Sequence, residues 1–138
     1  MTRFSFWRSA LAEYVNGCMT RPFVWGEHDC ALFAAGAVLA MTGEDIAAPY
    51  RGRYKALRGG LGLLRRKGFA NHAELAASVL EEIHPSHAAV GDIAAIKVED
   101  SGIYALGLVN GPRIFVCRPD SLGLGTVDLL SAERAFRV

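Results

Sequence analysis

The sequence predicts an α+β domain in which a buried helix packs on a small C-terminal antiparallel sheet. Three observations predict it. Apolar residues recur at helical spacing through the first 83 residues. After Pro85 the chain changes to short apolar runs separated by turn residues. Asn110-Gly111, set between two such runs, is a hairpin signal. Helices first and antiparallel strands second define the class.

The first helix carries Trp7, Leu11, Tyr14, Val15 and Cys18 at helical spacing and ends near Asn16-Gly17 or shortly after. Residues 21–26, with Pro22, form a loop. Asp29 is a good N-cap for the next helix and Gly43 a good stop. Between them, Cys30 to Met41 contains no charged residue, so this helix is buried on all sides. Its alanines and Gly36 let neighbours approach closely. Tyr54, Leu57, Leu61 and Leu64 mark a third helical face within 50–67, and Gly59, Gly60 and Gly62 predict a break in it. Asn71 with Glu74 resembles a capping box opening a fourth helix, with Leu75, Val79, Leu80 and Ile83, that Pro85 ends. A Gly91-Asp92 turn leads into the first strand. "GIYALGLV", "RIFVC", "GTVDLL" and "RAFRV" supply the others. The core is expected where Leu32, Phe33, Val38 and Leu39 meet Ile93, Ile96, Leu106 and Leu108.

The 138 residues fit one domain, 1–138, large enough to bury a core without staples. A net charge of +1 argues against general affinity for nucleic acid or membranes. Three widely spaced cysteines, Cys18, Cys30 and Cys117, suggest neither a disulfide framework nor a paired zinc site, and fit a reducing compartment. The N-terminal stretch lacks the apolar run of a secretory signal. The apolar run 30–41 is too short for a bilayer, which needs about 20 residues. No cofactor or metal is expected. The His-x-x-His spacing of His84 and His87 is one that can chelate zinc, but Pro85 breaks the helical geometry and it reads as a polar loop. Residues 58–64, "RGGLGLL", lack the Lys-Ser/Thr of a phosphate loop.

Cys30 is the residue that raises a functional question. It stands at the first turn of its helix, where free backbone N–H groups and the helix dipole favour a thiolate. A nucleophile, a metal ligand and a packed small hydrophobe all fit that position.

"GEHDCALFAAGAV" followed by "VGDIAAI" resembles the NlpC-type cell-wall endopeptidases, and the order of elements fits. A closer resemblance is to small phage and prophage tail proteins with a Trp-Gly-x-x-Asp-Cys-x-x-Phe motif and a Gly-Asp strand, which often end in an aromatic-Arg-Val sequence as "AFRV" does here. The resemblance implies a papain-like NlpC-type domain. It places Cys30 at the nucleophile, Asp29 just before it and Asp92 in the turn entering the first strand. Trp25, Asp29 and Asp92 become candidate binding residues. Where the active enzymes carry a general-base His, the matching residue is Ala105, and "RIFVC" offers no clear polar orienter. Ala31 and Leu32 replace the Ser and Gly that follow the motif cysteine. A base is worth roughly 10²–10⁴-fold in rate, so its loss implies eroded chemistry. His28, two residues before Cys30, is the first candidate for a relocated base; His84 and His87 are others, and His72 reads as solvent-facing.

The expected function is therefore a structural or adaptor component of a bacteriophage-type tail tip, assembled in the host cytoplasm and carried in the virion. The expected partners are hub or distal tail proteins and, less directly, peptidoglycan. The alternatives are an active cysteine peptidase or amidase that opens peptidoglycan as DNA enters the cell, and a cytoplasmic binding module of prophage origin. The segment with Arg51, Arg53, Lys55, Arg58, Arg65, Arg66 and Lys67 has no acid within it. It is either a docking face for an acidic partner or anionic polymer, or a solvated helix face.

Overall fold

A computed structural model describes residues 1–98, 103–120 and 122–138. Among them are four helices and a six-stranded antiparallel sheet, which makes the fold α+β. Helix α1 is Trp7–Cys18, α2 Cys30–Thr42, α3 Leu57–Arg66 and α4 His72–Val79. The strands are β1 Glu81–Ile83, β2 Ile93–Val98, β3 Ile103–Asn110, β4 Arg113–Cys117, β5 Leu124–Asp128 and β6 Arg134–Arg137. They lie in the order β1-β6-β2-β3-β4-β5.

Helix α2 begins and ends where its caps dictate. The Asp29 side chain accepts from the Leu32 N–H, and Gly43 closes the helix in the left-handed conformation. Phe33, Ala37 and Val38 are fully buried, and Phe33 and Val38 share a core with Ile93, Leu106, Leu108 and Phe136 of the sheet. Three expected core members lie elsewhere. Leu32 is buried, but in a separate cluster with Ala35 and Ala47. Leu39 is 39% exposed on the one outward side of α2. Ile96 packs on the opposite face of the sheet with Ala94, Val109, Ile114 and Val116. Among the described residues that second face is covered by Ala88, Leu129 and Ala132, which belong to two short 3-10 turns and their ends, rather than by any of α1 to α4.

The glycines of α3 do not break it. Gly59, Gly60 and Gly62 all lie inside one helix, and Tyr54 precedes that helix. Gly60 is buried against the Tyr54 ring, and a Cβ there would stand 3.2 Å from two ring carbons. Packing on Tyr54 thus outweighs the low helix propensity of glycine.

The fourth helix is shorter than its pattern predicts. Asn71 caps it by accepting from the Glu74 N–H, but it stops at Val79, and Leu80 is already extended. Residues 81–83 form β1 instead, paired with β6 through Glu81↔Arg137, Glu82↔Phe136 and Ile83↔Ala135. Ion pairs reinforce this edge. Arg134 reaches Glu82 at 2.7 Å and Glu74 at 2.6 Å, and Arg137 reaches Glu81 at 3.3 Å.

The β3–β4 hairpin forms one residue later than the Asn-Gly signal suggests. Asn110 pairs with Arg113, so the loop is Gly111-Pro112. The Gly91-Asp92 turn serves the fold itself. Asp92 is 3% exposed; its Oδ1 accepts from Arg3 and from the Val138 N–H, each at 3.1 Å, and its Oδ2 from the Ala89 N–H at 3.0 Å. Arg3 also donates to the Val138 carbonyl at 3.0 Å.

Candidate functional site around Cys30

The entrance of α2 is organised by one carboxylate. Asp29 is 1% exposed. Its Oδ1 accepts from the Leu32 N–H at 3.0 Å, and its Oδ2 from the Gly26 N–H at 3.0 Å and the Tyr54 hydroxyl at 2.5 Å. Gly26 has φ +81°, and a Cβ on it would fall 2.0 Å from the Tyr54 carbonyl oxygen. Only glycine lets the loop lie this close to residues 52–54, where the Gly52 N–H donates to the Gly26 carbonyl at 2.8 Å. Trp25, half-buried beside it, sits edge-on to Phe23 with ring centroids 4.7 Å apart.

Cys30 follows this cap and is half-buried. Its thiol is not activated. Burial, above all, pushes its pKa up to about 11, and the neighbouring Asp29 charge adds to the rise. The Leu106 amide and the first amides of α2 act in the opposite direction without offsetting it. The helix-start argument is right about the sign of the amide effect, but desolvation of the thiolate is larger here. At neutral pH Cys30 is a protonated thiol.

No imidazole is hydrogen-bonded to that thiol among the described residues. His28 is 2% exposed and lies edge-on to Phe33 at 6.2 Å between centroids. Burial, then the Arg21 charge, lower its pKa, so the ring is neutral. Its Nε2 is buried without a partner, while its backbone carbonyl accepts from the Cys117 thiol at 3.8 Å. His84 and His87 are exposed; His84 Nδ1 accepts from the Ser86 N–H at 3.1 Å and holds a local turn.

The sheet changes the meaning of Ala105. Side chains alternate along a strand. Tyr104, Leu106 and Leu108 face the core that holds α2. Gly107 faces the other side, where a Cβ would meet Ile114 and Val116. Ala105 shares the parity of Gly107, so its side chain points away from α2. Leu106 is the β3 residue beside the thiol.

Two residues near the site escaped the sequence reading. Tyr54 carries no polar signal within its apolar pattern, yet its hydroxyl binds Asp29. His72, expected to face solvent, is 8% exposed, and its Nδ1 is buried without a partner. Burial lowers its pKa, with the Asp29 charge acting the other way.

The basic segment divides. Arg51 is not a free docking residue, because its Nε meets Asp45 Oδ2 at 2.8 Å and its Nη2 meets Oδ1 at 3.1 Å. Arg53, Arg65 and Arg66 are exposed, and none is in an ion pair among the described residues. Arg53, Arg66 and Lys67 line a surface depression of about 380 Å³ with Pro49 and Leu63. Asp92 belongs to the terminal cluster rather than to the Cys30 site.

A family model described as a domain of unknown function, DUF6950, matches residues 2–138. No curated protein matches the chain in sequence. Among solved structures, the crystal structure of the NlpC/p60 domain of the peptidoglycan hydrolase SagA is similar, at 19% identity and a TM-score of 0.60. The match covers 94% of this chain and 97% of that one. The NlpC/p60 fold is therefore common to both. Among the described residues no helix is long and apolar enough to cross a membrane.

Proposed function

We propose, for a chain that belongs to the DUF6950 family and has the NlpC/p60 fold, a structural or adaptor role without hydrolytic activity. One observation carries this reading. Among the described residues no imidazole is hydrogen-bonded to the thiol at the nucleophile position, and burial raises that thiol's pKa to about 11. Acyl transfer needs a thiolate and an acid to protonate the leaving amine. The residue before it, Asp29, spends its oxygens on the helix cap, the loop and Tyr54. The entrance of α2 is thus used to hold the domain together.

The place we assign to this role is a bacteriophage-type tail tip, with hub or distal tail proteins as partners. The Trp25-Gly26, Asp29-Cys30 and Phe33 motif and the final "AFRV" support it, as does the exposed basic face of α3. On this reading the protein is assembled in the host cytoplasm and resides in the virion. Purified protein incubated with peptidoglycan and its stem peptides should release nothing above background, and Cys30→Ala should behave identically. Cys30-dependent release would overturn the non-hydrolytic reading. Purified particles should contain the protein at a fixed copy number; its absence from them would overturn the tail assignment.

A second reading, a cysteine peptidase or amidase acting on peptidoglycan, has one observation in its favour. His72 brings a neutral imidazole with an unpartnered nitrogen into the neighbourhood of Asp29. In that case His72→Ala would abolish hydrolysis as completely as Cys30→Ala.

A further inference from the structure

The depression lined by Arg53, Arg66 and Lys67, with Pro49 and Leu63, holds about 380 Å³. Two stretches of chain make it. Arg66 and Lys67 follow Leu63 by three and four residues, so the end of α3 brings these side chains to one face. Pro49 and Arg53 come from the turn before α3, where the Arg53 N–H donates to the Tyr50 carbonyl at 3.1 Å. The Lys67 ammonium lies 5.9 Å from the centroid of the buried Tyr50 ring and ties the helix end to that turn.

No acid lines the depression. Among the described residues Arg53, Arg66 and Lys67 make no ion pair, and neither guanidinium donates a hydrogen bond. Arg51, two residues before Arg53, is by contrast neutralised by Asp45. Cations at a helix C-terminus answer the helix dipole, but backbone amides already take the last carbonyls of α3. The Lys67 N–H donates to Leu63 and Leu64, the Gly68 N–H to Arg65 and the Phe69 N–H to Leu64. The dipole also leaves Arg53 unexplained, since it lies outside the helix. Like charges around one depression repel until an anion joins them.

The class of anion follows from the rest of the surface. A net charge of +1 gives no long-range field to draw in a polyanion. A phosphate backbone is held by charge and would leave Pro49 and Leu63 unused. A peptide with an aliphatic side chain between carboxylates uses both parts of the lining. Guanidinium forks match carboxylates in a bidentate way.

We propose that this depression is the docking point for an acidic segment of a protein partner. Its Asp or Glu side chains meet Arg53, Arg66 and Lys67, and its aliphatic side chain rests on Leu63 and Pro49. This names the partner chemistry of the adaptor reading and rests on that reading, though not on the tail assignment.

The probes are the peptide acetyl-Glu-Leu-Glu-amide, its Gln-Leu-Gln counterpart, a thymidine oligonucleotide of equal charge and inorganic phosphate. Each is titrated into the full chain and followed by NMR of backbone amides and arginine Nε groups. The acidic peptide should give a saturable response at Arg53, Leu63, Arg66 and Lys67. That response should vanish in about 1 M salt, where the screening length is about 3 Å. The Gln peptide should give none, and the oligonucleotide and phosphate should bind more weakly. Arg53→Ala and Arg66→Ala should each weaken the peptide about two- to fivefold, the range for one exposed ion pair. Arg65→Ala, outside the lining, should leave it unchanged. All three are surface changes and should keep the fold. The proposal is overturned if the peptide does not saturate, if the response lies elsewhere, or if salt leaves it intact. It is equally overturned if phosphate or the oligonucleotide binds as tightly, or if Arg65→Ala weakens binding as much as Arg66→Ala. Such a failure leaves the peptidoglycan-release and copy-number results standing, whereas Cys30-dependent release would sink the adaptor reading whatever the peptide does.

Discussion

Tyr54 donates its hydroxyl to Asp29, the carboxylate that caps the Cys30 helix, at 2.5 Å. The bond joins the segment before α3 to the start of α2. It explains why an aromatic residue outside any helix is held between Gly26 and Gly60. Tyr54→Phe keeps the ring and removes only the donor. The expected loss is about 1–2 kcal/mol, the value of a hydrogen bond to a buried charged acceptor that retains other donors. Asp29→Ala removes the cap and both other bonds and should cost more, about 2–4 kcal/mol. Urea unfolding of the two variants checks the order. A Tyr54→Phe variant less stable than Asp29→Ala would mean that the Tyr54 hydroxyl, not the carboxylate, organises the site.

The Cys30 thiol has a consequence at alkaline pH. Its folded pKa is raised to about 11, above the ordinary thiol value of about 8.5. The unfolded chain therefore loses this proton first as pH rises. Stability from this group is complete below about pH 8.5 and declines as pH climbs towards the folded value. Cys117, pushed up to about 12 by burial, adds to the same decline. Thermal melts between pH 8 and 11 should fall, and Cys30→Ala should fall less steeply. Alkylation of the folded protein at pH 7.5 should be slower at Cys30 than in a free cysteine. Faster reaction would show that the thiol is activated.

The acid side is governed by buried histidines. His28 and His72 both have lowered pKa values, with burial as the first cause. The unfolded chain takes up these protons first, below about pH 6.5. Stability is thus complete above that pH and is lost as pH falls through the lower folded values. Carboxylates such as Glu82, held down by its bond to Arg134, enter only at lower pH. Denaturant midpoints between pH 7 and 5 should decline in the natural chain and stay flatter in His72→Leu. An equal slope in both would remove His72 from this account.

The exposed cations of α3 and its approach test the partner reading. Arg65→Glu with Arg66→Glu should leave the melting temperature of the isolated domain within about 2–3 °C, since unpaired surface charges contribute little. Assembly with the partner should weaken, as rim charges govern association. Arg51→Glu is a different case, because Arg51 is bonded to Asp45; it should lower stability as well. Normal assembly of the Arg65/Arg66 variant would take this face out of the interaction.

The features most legible in the sequence were those fixed by local chemistry. Asp29 and Gly43 bracket α2 because a cap and a stop each need a particular residue type at one position. Asn71 opens α4 for the same reason. The far end of α4 was not legible. A strand of three residues shows no alternation, and the partner of β1 lies some fifty residues away in β6. Gly59, Gly60 and Gly62 misled because the Tyr54 ring, not intrinsic propensity, decides α3. At the site, the position of Cys30 was readable but its protonation was not. The amides at a helix start are local, whereas the burial that outweighs them is assembled from β3 and its surroundings. The same holds for His72, whose side of α4 becomes interior only once α3 packs beside it. Ala105 turned on strand parity, which one residue of offset reverses.

Asp92 binds Arg3 and the Val138 N–H at once. Two segments 135 residues apart thus hang on one buried carboxylate, and Arg3 ties them to each other through the Val138 carbonyl. The three residues act as a clasp. Loosening of the two segments should be one event rather than two.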